Sequence, residues 1–169
     1  MSKKLETLVS KEVMHLGEVV RGELYRGTIN GYNTQPDEII CMNDLIVTAG
    51  RVFIAKRISA GDTVASAMAH IAVGTGTTGA ALGDTALVAE KARKATAINS
   101  VLSANVYTAI ATFGGFADSV TSAQLTEAGL FNHAGSGQGT MMQRVTFAAV
   151  TLANSDIFSI RLDTNIGSS

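Results

Sequence analysis

The sequence predicts an all-β fold, an antiparallel β-sandwich or jelly-roll-like domain with one short helix. Three observations carry this prediction: short β-branched and aromatic runs recur along residues 39–163, glycine-rich turns separate them, and no helices alternate with them as in a βαβ series. The chain has 169 residues, of which 46% are hydrophobic and only 16% are charged. This length suits one domain. The low charge favours a surface that is partly buried between subunits, although a compact monomer rich in Ala, Gly and Thr would have the same composition.

The first 38 residues differ from the rest and are predicted to form an N-terminal arm. Apolar and charged residues are mixed there, and Gly17, Gly22 and Gly27 recur every five residues, which weakens any continuing helix. The only proline, Pro36, lies in a turn-forming stretch that closes this region. We therefore expect an extended arm at residues 1–38, with a short helix at most, followed by a β-sandwich domain at residues 39–169.

The strands of that domain are predicted from β-branched and aromatic content and from alternation. They fall at residues 52–57, 69–73, 106–113, 125–131, 141–148 and 158–163. In the last strand Phe158, Ile160 and Leu162 should face the core while the intervening polar residues face solvent. One helix is expected at residues 80–94, with Asp84 as its N-cap.

Composition and spacing argue against several classes of function. Thirteen basic residues balance fourteen acidic ones for a net charge of −1, so nothing favours nucleic acid. No apolar run approaches the ~20 residues of a membrane span, and no export signal is present, so we expect synthesis in the cytoplasm and no membrane partner. The single cysteine, Cys41, excludes an intrachain disulfide and is expected to be a small buried hydrophobe.

No constellation of catalytic or metal-binding residues is visible in the sequence. His15, His70 and His133 are isolated from one another and from Cys41, and no serine lies in a nucleophile elbow. We therefore predict a protein that is not an enzyme and that has no cofactor, no metal and no catalytic residues.

One literal match to a binding motif is the G-x-G-x-x-G at residues 74–79, directly after a predicted strand. A dinucleotide site also needs a helix starting within the motif and an acidic residue about 20 positions on. Gly83 and Asp84 interrupt the expected helix, and the position expected to be acidic is occupied by Ile98 and Asn99. The motif is expected to be a decoy, and a small phosphate- or nucleotide-binding domain stays the least favoured alternative.

The same glycine-rich segment, with several later ones in order, resembles a group of small virion structural proteins of tailed bacteriophages. The residues that carry the resemblance are Gly74 to Thr78, Asp84 to Leu87, Glu90, Arg93, Ala111 to Phe113, Leu125 to Asn132, Gly139 to Phe147 and Asp156 to Asp163. The resemblance implies a β-sandwich subunit, often trimeric, of the kind found in head decoration (cement) proteins or in tail and fibre components. It supplies no catalytic residues.

The arm favours the decoration reading, because about 35 residues extended at about 3.3 Å each reach well beyond one domain. We expect it to bind the major capsid protein or a sister subunit on the capsid surface of the virion, in a homotrimer. The interaction residues predicted in the arm are Leu5, Leu8, Val13, Leu16, Val19, Leu24 and Tyr25. The alternative is a tail or tail-fibre adaptor subunit.

Overall fold

The protein is a sandwich of two five-stranded antiparallel sheets, seen in a computed structural model that describes residues 18–27, 35–42, 44–59, 66–103 and 105–165. The all-β prediction with one short helix is therefore confirmed. The elements in chain order are β1 (Glu18–Tyr25), β2 (Glu38–Met42), β3 (Leu45–Ile46), α1 (Thr48–Ile58), β4 (His70–Gly74), β5 (Glu90–Ala95), β6 (Ile98–Ser103), β7 (Val106–Gly114), β8 (Gln124–Phe131), β9 (Met141–Thr151) and β10 (Ile157–Asn165).

The two sheets share one apolar core. The first sheet has the order β2-β1-β10-β7-β6 and the second the order β3-β9-β8-β4-β5. The predicted alternation of the last strand is confirmed, because Phe158, Ile160 and Leu162 of β10 are fully buried. They pack against residues of the second sheet such as Leu130 and Val145, so the core lies between the inner faces.

The predicted boundary between arm and domain is wrong, because β1 is an interior strand of the first sheet. It pairs with β10 along eight residues and with β2 on its other side. Gly22 is a packing residue there: a Cβ at this position would come within 2.8 Å of the Phe158 ring. Gly22 therefore leaves room for an aromatic ring inside a strand, and the sandwich includes residues 18–25.

Two secondary-structure predictions are also wrong. Residues 52–57 lie in the helix α1, because Gly50 brings the helix onto the Met142 backbone, where a Cβ would meet the carbonyl oxygen at 2.1 Å. Residues 80–94 are loop followed by β5, because Asp84 pairs with Arg144. Within the residues that the structure describes, no helix has the length and apolar character needed to cross a membrane.

Candidate functional site

The segment between β4 and β5, residues 75–89, which we call the glycine-rich loop, folds over the outer face of the second sheet. Leu87 of this loop packs with Ala72, Phe131 and Met141 of the sheet and with Val47 in a second apolar cluster. The main core covers the inner face of the second sheet and the glycine-rich loop covers its outer face, so solvent reaches neither face at this point. Polar residues on the outer face must then find partners inside the protein.

Glu127 of β8 lies at the centre of this face and is fully buried. Its carboxylate accepts hydrogen bonds from the backbone amides of Ala89 at 2.7 Å, Gly76 at 3.0 Å and Val88 at 3.0 Å. These amides belong to both ends of the glycine-rich loop. One carboxylate therefore holds the loop closed at its two ends.

Arg144 of β9 is the counter-ion of Glu127, and its side chain is also fully buried. Its Nε and Nη2 donate to the same carboxylate oxygen at 3.0 and 2.9 Å, and its Nη1 donates to Asp84 at 2.8 Å. The carbonyl of Thr78 accepts from Nη2 at 2.8 Å. The guanidinium thus joins the sheet to the middle of the loop, as the planar fork of arginine is suited to do.

Hydrogen bonds set the protonation state of both acids. Burial alone would raise the pKa of Glu127, but the amides of Ala89 and Val88 and the Arg144 guanidinium outweigh it and lower the pKa. The pKa of Asp84 is lowered in the same way: burial is outweighed by the Ala81 amide and by Arg144. Both carboxylates are therefore ionised at neutral pH, which suits a permanent ionic cluster rather than proton transfer.

Two glycines of the G-x-G-x-x-G match, Gly74 and Gly76, are needed for steric reasons in this arrangement. A Cβ on Gly74 or Gly76 would lie 2.6 or 2.5 Å from the Glu127 carboxylate, whereas one on Gly79 would meet nothing within 4 Å. No helix starts in the motif, since the chain runs from β4 through the loop to β5. The Gly76 amide donates to the protein's own Glu127 carboxylate, and the interpretation of the motif as a decoy stays a prediction.

A second ionic group secures the next loop. Arg93 of β5 forms a two-pronged pair with Glu90 at 2.7 and 3.0 Å and lies 3.7 Å from the centre of the Phe131 ring. Its Nη1 also donates to the carbonyls of His133 and Gln138, both at 3.0 Å. The loop between β8 and β9 is therefore anchored by one arginine.

A third ionic group closes the far end of the first sheet. Asp156 is 4% exposed and accepts hydrogen bonds from the amide of Ala153, the amide of Gly27 and the guanidinium of Arg26. Burial is again outweighed by these donors, which lower the pKa of Asp156. The turn after β1 is thus tied to the turn before β10.

The predicted interaction residues are dispersed in the structure. Leu24 is 1% exposed and belongs to the core, so its prediction as an arm contact is wrong. Tyr25 is half-buried and donates to Glu23 at 2.8 Å, and Val19 lies in β1. Leu5, Leu8, Val13 and Leu16 lie outside the described residues. Cys41 is exposed, contrary to the expectation of a buried thiol.

The Glu127–Arg144 pair was not predicted from the sequence, although both residues stand in the segments that carry the resemblance. The signal was a single acid inside an apolar strand, Leu125 to Phe131, and a single base inside another, Met141 to Phe147. Charged residues are almost never fully buried unless they are paired. An isolated acid and an isolated base on two apolar strands therefore predict that the strands are neighbours and that the two charges pair.

An apolar groove of about 370 Å³ opens at one end of the sandwich. It lies between α1, which contributes Phe53 and Ile54, and the strand ends that contribute Val101, Tyr107 and Thr164, with Met68 and Met142 between them. The Tyr107 hydroxyl donates to the Met68 carbonyl, and burial raises the pKa of Tyr107 to about 12. The groove offers mainly hydrocarbon surface, and Arg57 of α1 adds a charged side chain to its lining.

No group of three or more histidine, cysteine or acidic side chains that could hold a metal ion occurs in the described part of the chain. Comparison with protein-family models, with curated proteins and with solved structures finds no match to this chain.

Proposed function

We propose that this protein is a structural subunit of a tailed-phage virion, a head decoration (cement) protein that binds the major capsid protein and neighbouring copies of itself. The observation that carries the proposal is the convergence of Gly74, Gly76, Asp84, Glu127 and Arg144 in one buried cluster. These residues come from four of the separate segments on which the resemblance to phage virion proteins rests. These separate segments therefore meet in one cluster, which fixes the glycine-rich loop to the β-sandwich.

The chemistry of this cluster supports a structural role. All three nitrogens of the Arg144 guanidinium donate to acceptors of the same chain, and Glu127 accepts five hydrogen bonds. A reacting group needs a face open to substrate, whereas both of these side chains are fully buried. The charged groups of the cluster bind the glycine-rich loop and hold it in place.

The surface supports assembly with other subunits. Several large apolar side chains of the described residues are exposed, Phe116 at 76% and Ile58 at 78% being the extremes. The others are Ile39, Val52, Leu82, Val88, Ile98 and Val101. Interfaces are poor in charge and rich in such side chains, and the 16% charged composition matches that character. We expect a homotrimer whose copies and capsid contacts cover part of this surface.

A tail or tail-fibre adaptor subunit is the second candidate, because the segment Thr126 to Phe131 is similar to one also seen in tail-fibre proteins. A phosphate- or nucleotide-binding domain is the least favoured. In a binding loop the backbone amides are free to receive an anionic ligand. Here the amides of Gly76, Val88 and Ala89 already hold the Glu127 carboxylate.

Binding to purified particles tests the proposal. Expanded capsids that lack the protein are mixed with the full-length chain and sedimented, with tail assemblies as the parallel sample. We expect co-sedimentation with capsids alone and a solution mass three times 17.5 kDa. Co-sedimentation with tails alone would replace the first candidate by the second, and binding to neither would contradict both.

The role of the arm needs a truncation that spares the sandwich. Removal of residues 1–16 leaves all of β1, whereas a longer deletion into Glu18–Tyr25 would remove an interior strand. We expect the shortened chain to keep its cooperative unfolding and to lose capsid binding. Full binding by this chain would show that the domain surface alone makes the contact.

A further inference from the structure

The strand β2 forms one edge of the first sheet, and no other strand of the described residues pairs with its outer side. An unpaired edge presents a row of backbone donors and acceptors that a strand from another molecule can use. Proteins commonly protect such edges with basic residues, with bulges or with very short strands. Three of the four edge strands of this sandwich have such a protection, and β2 does not.

The three protected edges differ in the protection they have. β3 has only two residues, and β5 has three basic residues in the six-residue sequence EKARKA. β6 has a register shift against β7 after Val101, which is typical of a bulge. β2, by contrast, pairs with β1 over five residues without a shift, and its only charge is Glu38 at its first position.

The side chains that β2 places on the outer face of the first sheet are apolar and exposed. Ile39 is 49% exposed and Cys41 is exposed, and they stand opposite Glu23 and Arg21 of β1. These two charges form an ion pair of 2.8 Å, so they cancel beside the edge. Ile40 is half-buried and packs against the core on the inner face. A strand that pairs with this edge therefore meets a neutral, apolar neighbour.

The charges around this edge favour a second copy of the chain in antiparallel orientation. With Ile40 opposite Ile40 of the other copy, Ile39 of each copy stands opposite Cys41 of the other. A row across the outer face then runs from Arg21 through Cys41 and the partner's Ile39 to the partner's Glu23, with opposite charges at its ends. The acidic first residues of the two strands lie at opposite ends, whereas parallel pairing in register would place them side by side.

We propose that two copies of this chain pair edge to edge through β2, about a two-fold axis at Ile40, so that their five-stranded first sheets become one continuous sheet. β2 contributes five residues per copy, whereas a stable interface uses about 20–30 residues a side. The contact is therefore weak alone and forms between copies that are already held close together. It adds a two-fold contact to the trimer of the proposed function and does not depend on that function.

Cross-linking of two different chains tests both the partner and the register. The native chain, whose single cysteine is Cys41, is mixed with an equal amount of the chain Ile39→Cys with Cys41→Ser and oxidised mildly at high protein concentration. In the proposed register the two thiols belong to directly opposite residues, whose Cα atoms are about 4.5–5.5 Å apart, as a disulfide requires. Two native chains place their thiols on a diagonal of about 7–8 Å, which is too long. The mixed disulfide should exceed both homodimeric disulfides several-fold.

The matched control carries Val52→Cys with Cys41→Ser in place of the Ile39 variant. Val52 of α1 is 48% exposed, almost the same as Ile39, but it lies outside the proposed contact. This control should form little mixed disulfide with the native chain. Mixed and homodimeric disulfides in statistical proportion, equal trapping of the control, or no mixed disulfide at all would each overturn the proposal.

Charge on the edge gives a second readout, measured under reducing conditions. Ile39→Lys with Cys41→Lys places like charges directly opposite each other across the proposed contact. Sedimentation velocity should show that association of the native chain at rising concentration is weakened several-fold in this variant, with cooperative unfolding retained because both sites are exposed. The control Val52→Lys with Val88→Lys has the same change in charge at exposed sites and should associate like the native chain. Equal association of both variants, or none of the native chain, would contradict pairing through β2.

Discussion

Glu127 and Arg144 lie on adjacent strands and form an ion pair of 2.9 Å in which neither side chain is exposed to solvent. The pair also organises the backbone, because Glu127 accepts from three amides of the loop and Arg144 donates to the Thr78 carbonyl. Breaking such a pair leaves a buried charge without its partner, which is far more costly than losing a pair at the surface.

Glu127→Gln should therefore lower the free energy of unfolding by about 3–5 kcal/mol, since the Arg144 charge stays buried. Glu23→Gln is the matched control: Glu23 pairs with Arg21 at 2.8 Å, but the two side chains are 27% and 46% exposed. The control should change stability by about 1 kcal/mol or less. Chemical denaturation measures both, and equal losses would contradict the role of the buried pair.

Replacing both charges by apolar residues should not restore stability. Buried pairs elsewhere are often replaced without loss, but here Glu127→Leu with Arg144→Met would deprive the amides of Gly76, Val88 and Ala89 of their acceptor. Each unsatisfied buried amide costs about 1–3 kcal/mol. We expect the double variant to be less stable than the wild type by at least about 3 kcal/mol. A denaturation midpoint at the wild-type value would show that the amides find other partners.

Acid should destabilise the protein through its buried carboxylates. Hydrogen bonds outweigh burial and lower the pKa of Glu127 below its ordinary 4.5 and the pKa values of Asp84 and Asp156 below 3.8. Their stabilising contribution is therefore complete above about pH 4.5 and is lost as the pH falls through the folded pKa values. Thermal unfolding at a series of pH values from 7 to 3 measures this loss. Glu127→Gln should show a shallower decline, and an identical pH profile would exclude Glu127 as a source.

Substitution by alanine should have different effects on stability at two glycines of the G-x-G-x-x-G match, Gly76 and Gly79. At Gly76 the new Cβ would lie 2.5 Å from both Glu127 Oε1 and Val88 Cβ, so Gly76→Ala should cost about 1–3 kcal/mol. At Gly79 nothing lies within 4 Å, and Gly79→Ala should be neutral or stabilising by up to about 1 kcal/mol. Melting temperatures of the two variants test this. A loss at Gly79 as large as that at Gly76 would favour a binding loop, in which all three glycines are needed.

The parts of the fold that the sequence predicted correctly are those where one periodicity dominates. Phe158, Ile160 and Leu162 alternate with polar residues, and only a strand with one wet face satisfies that pattern. The helix α1 escaped prediction because its β-branched and aromatic residues fit a strand equally well. Contact between Gly50 and the Met142 backbone, far along the chain, decides between them, and local pattern carries no information on such contacts.

The sequence indicates several residues of the cluster, but it does not indicate which of them form hydrogen bonds with one another. The resemblance includes Gly74, Asp84 and Arg144, yet the local pattern predicts that Asp84 caps a helix, because its neighbours are good helix formers. Its carboxylate instead accepts from Arg144 at 2.8 Å and from the Ala81 amide at 2.8 Å. A partner 60 residues away overrides a local preference of a few tenths of a kilocalorie per mole per residue, which is the scale of helix propensity.

The pairing of β1 with β10 along eight residues sets the timing of folding during synthesis. The first described strand pairs with the last described one, so more than 130 residues separate Tyr25 from Ile157 and all of them must leave the ribosome before these two strands can pair. Such long-range pairing slows folding, because a large loop loses its freedom before the contact stabilises it. Until β10 is synthesised, β1 exposes one hydrogen-bonding edge, which can pair with another copy of the nascent chain.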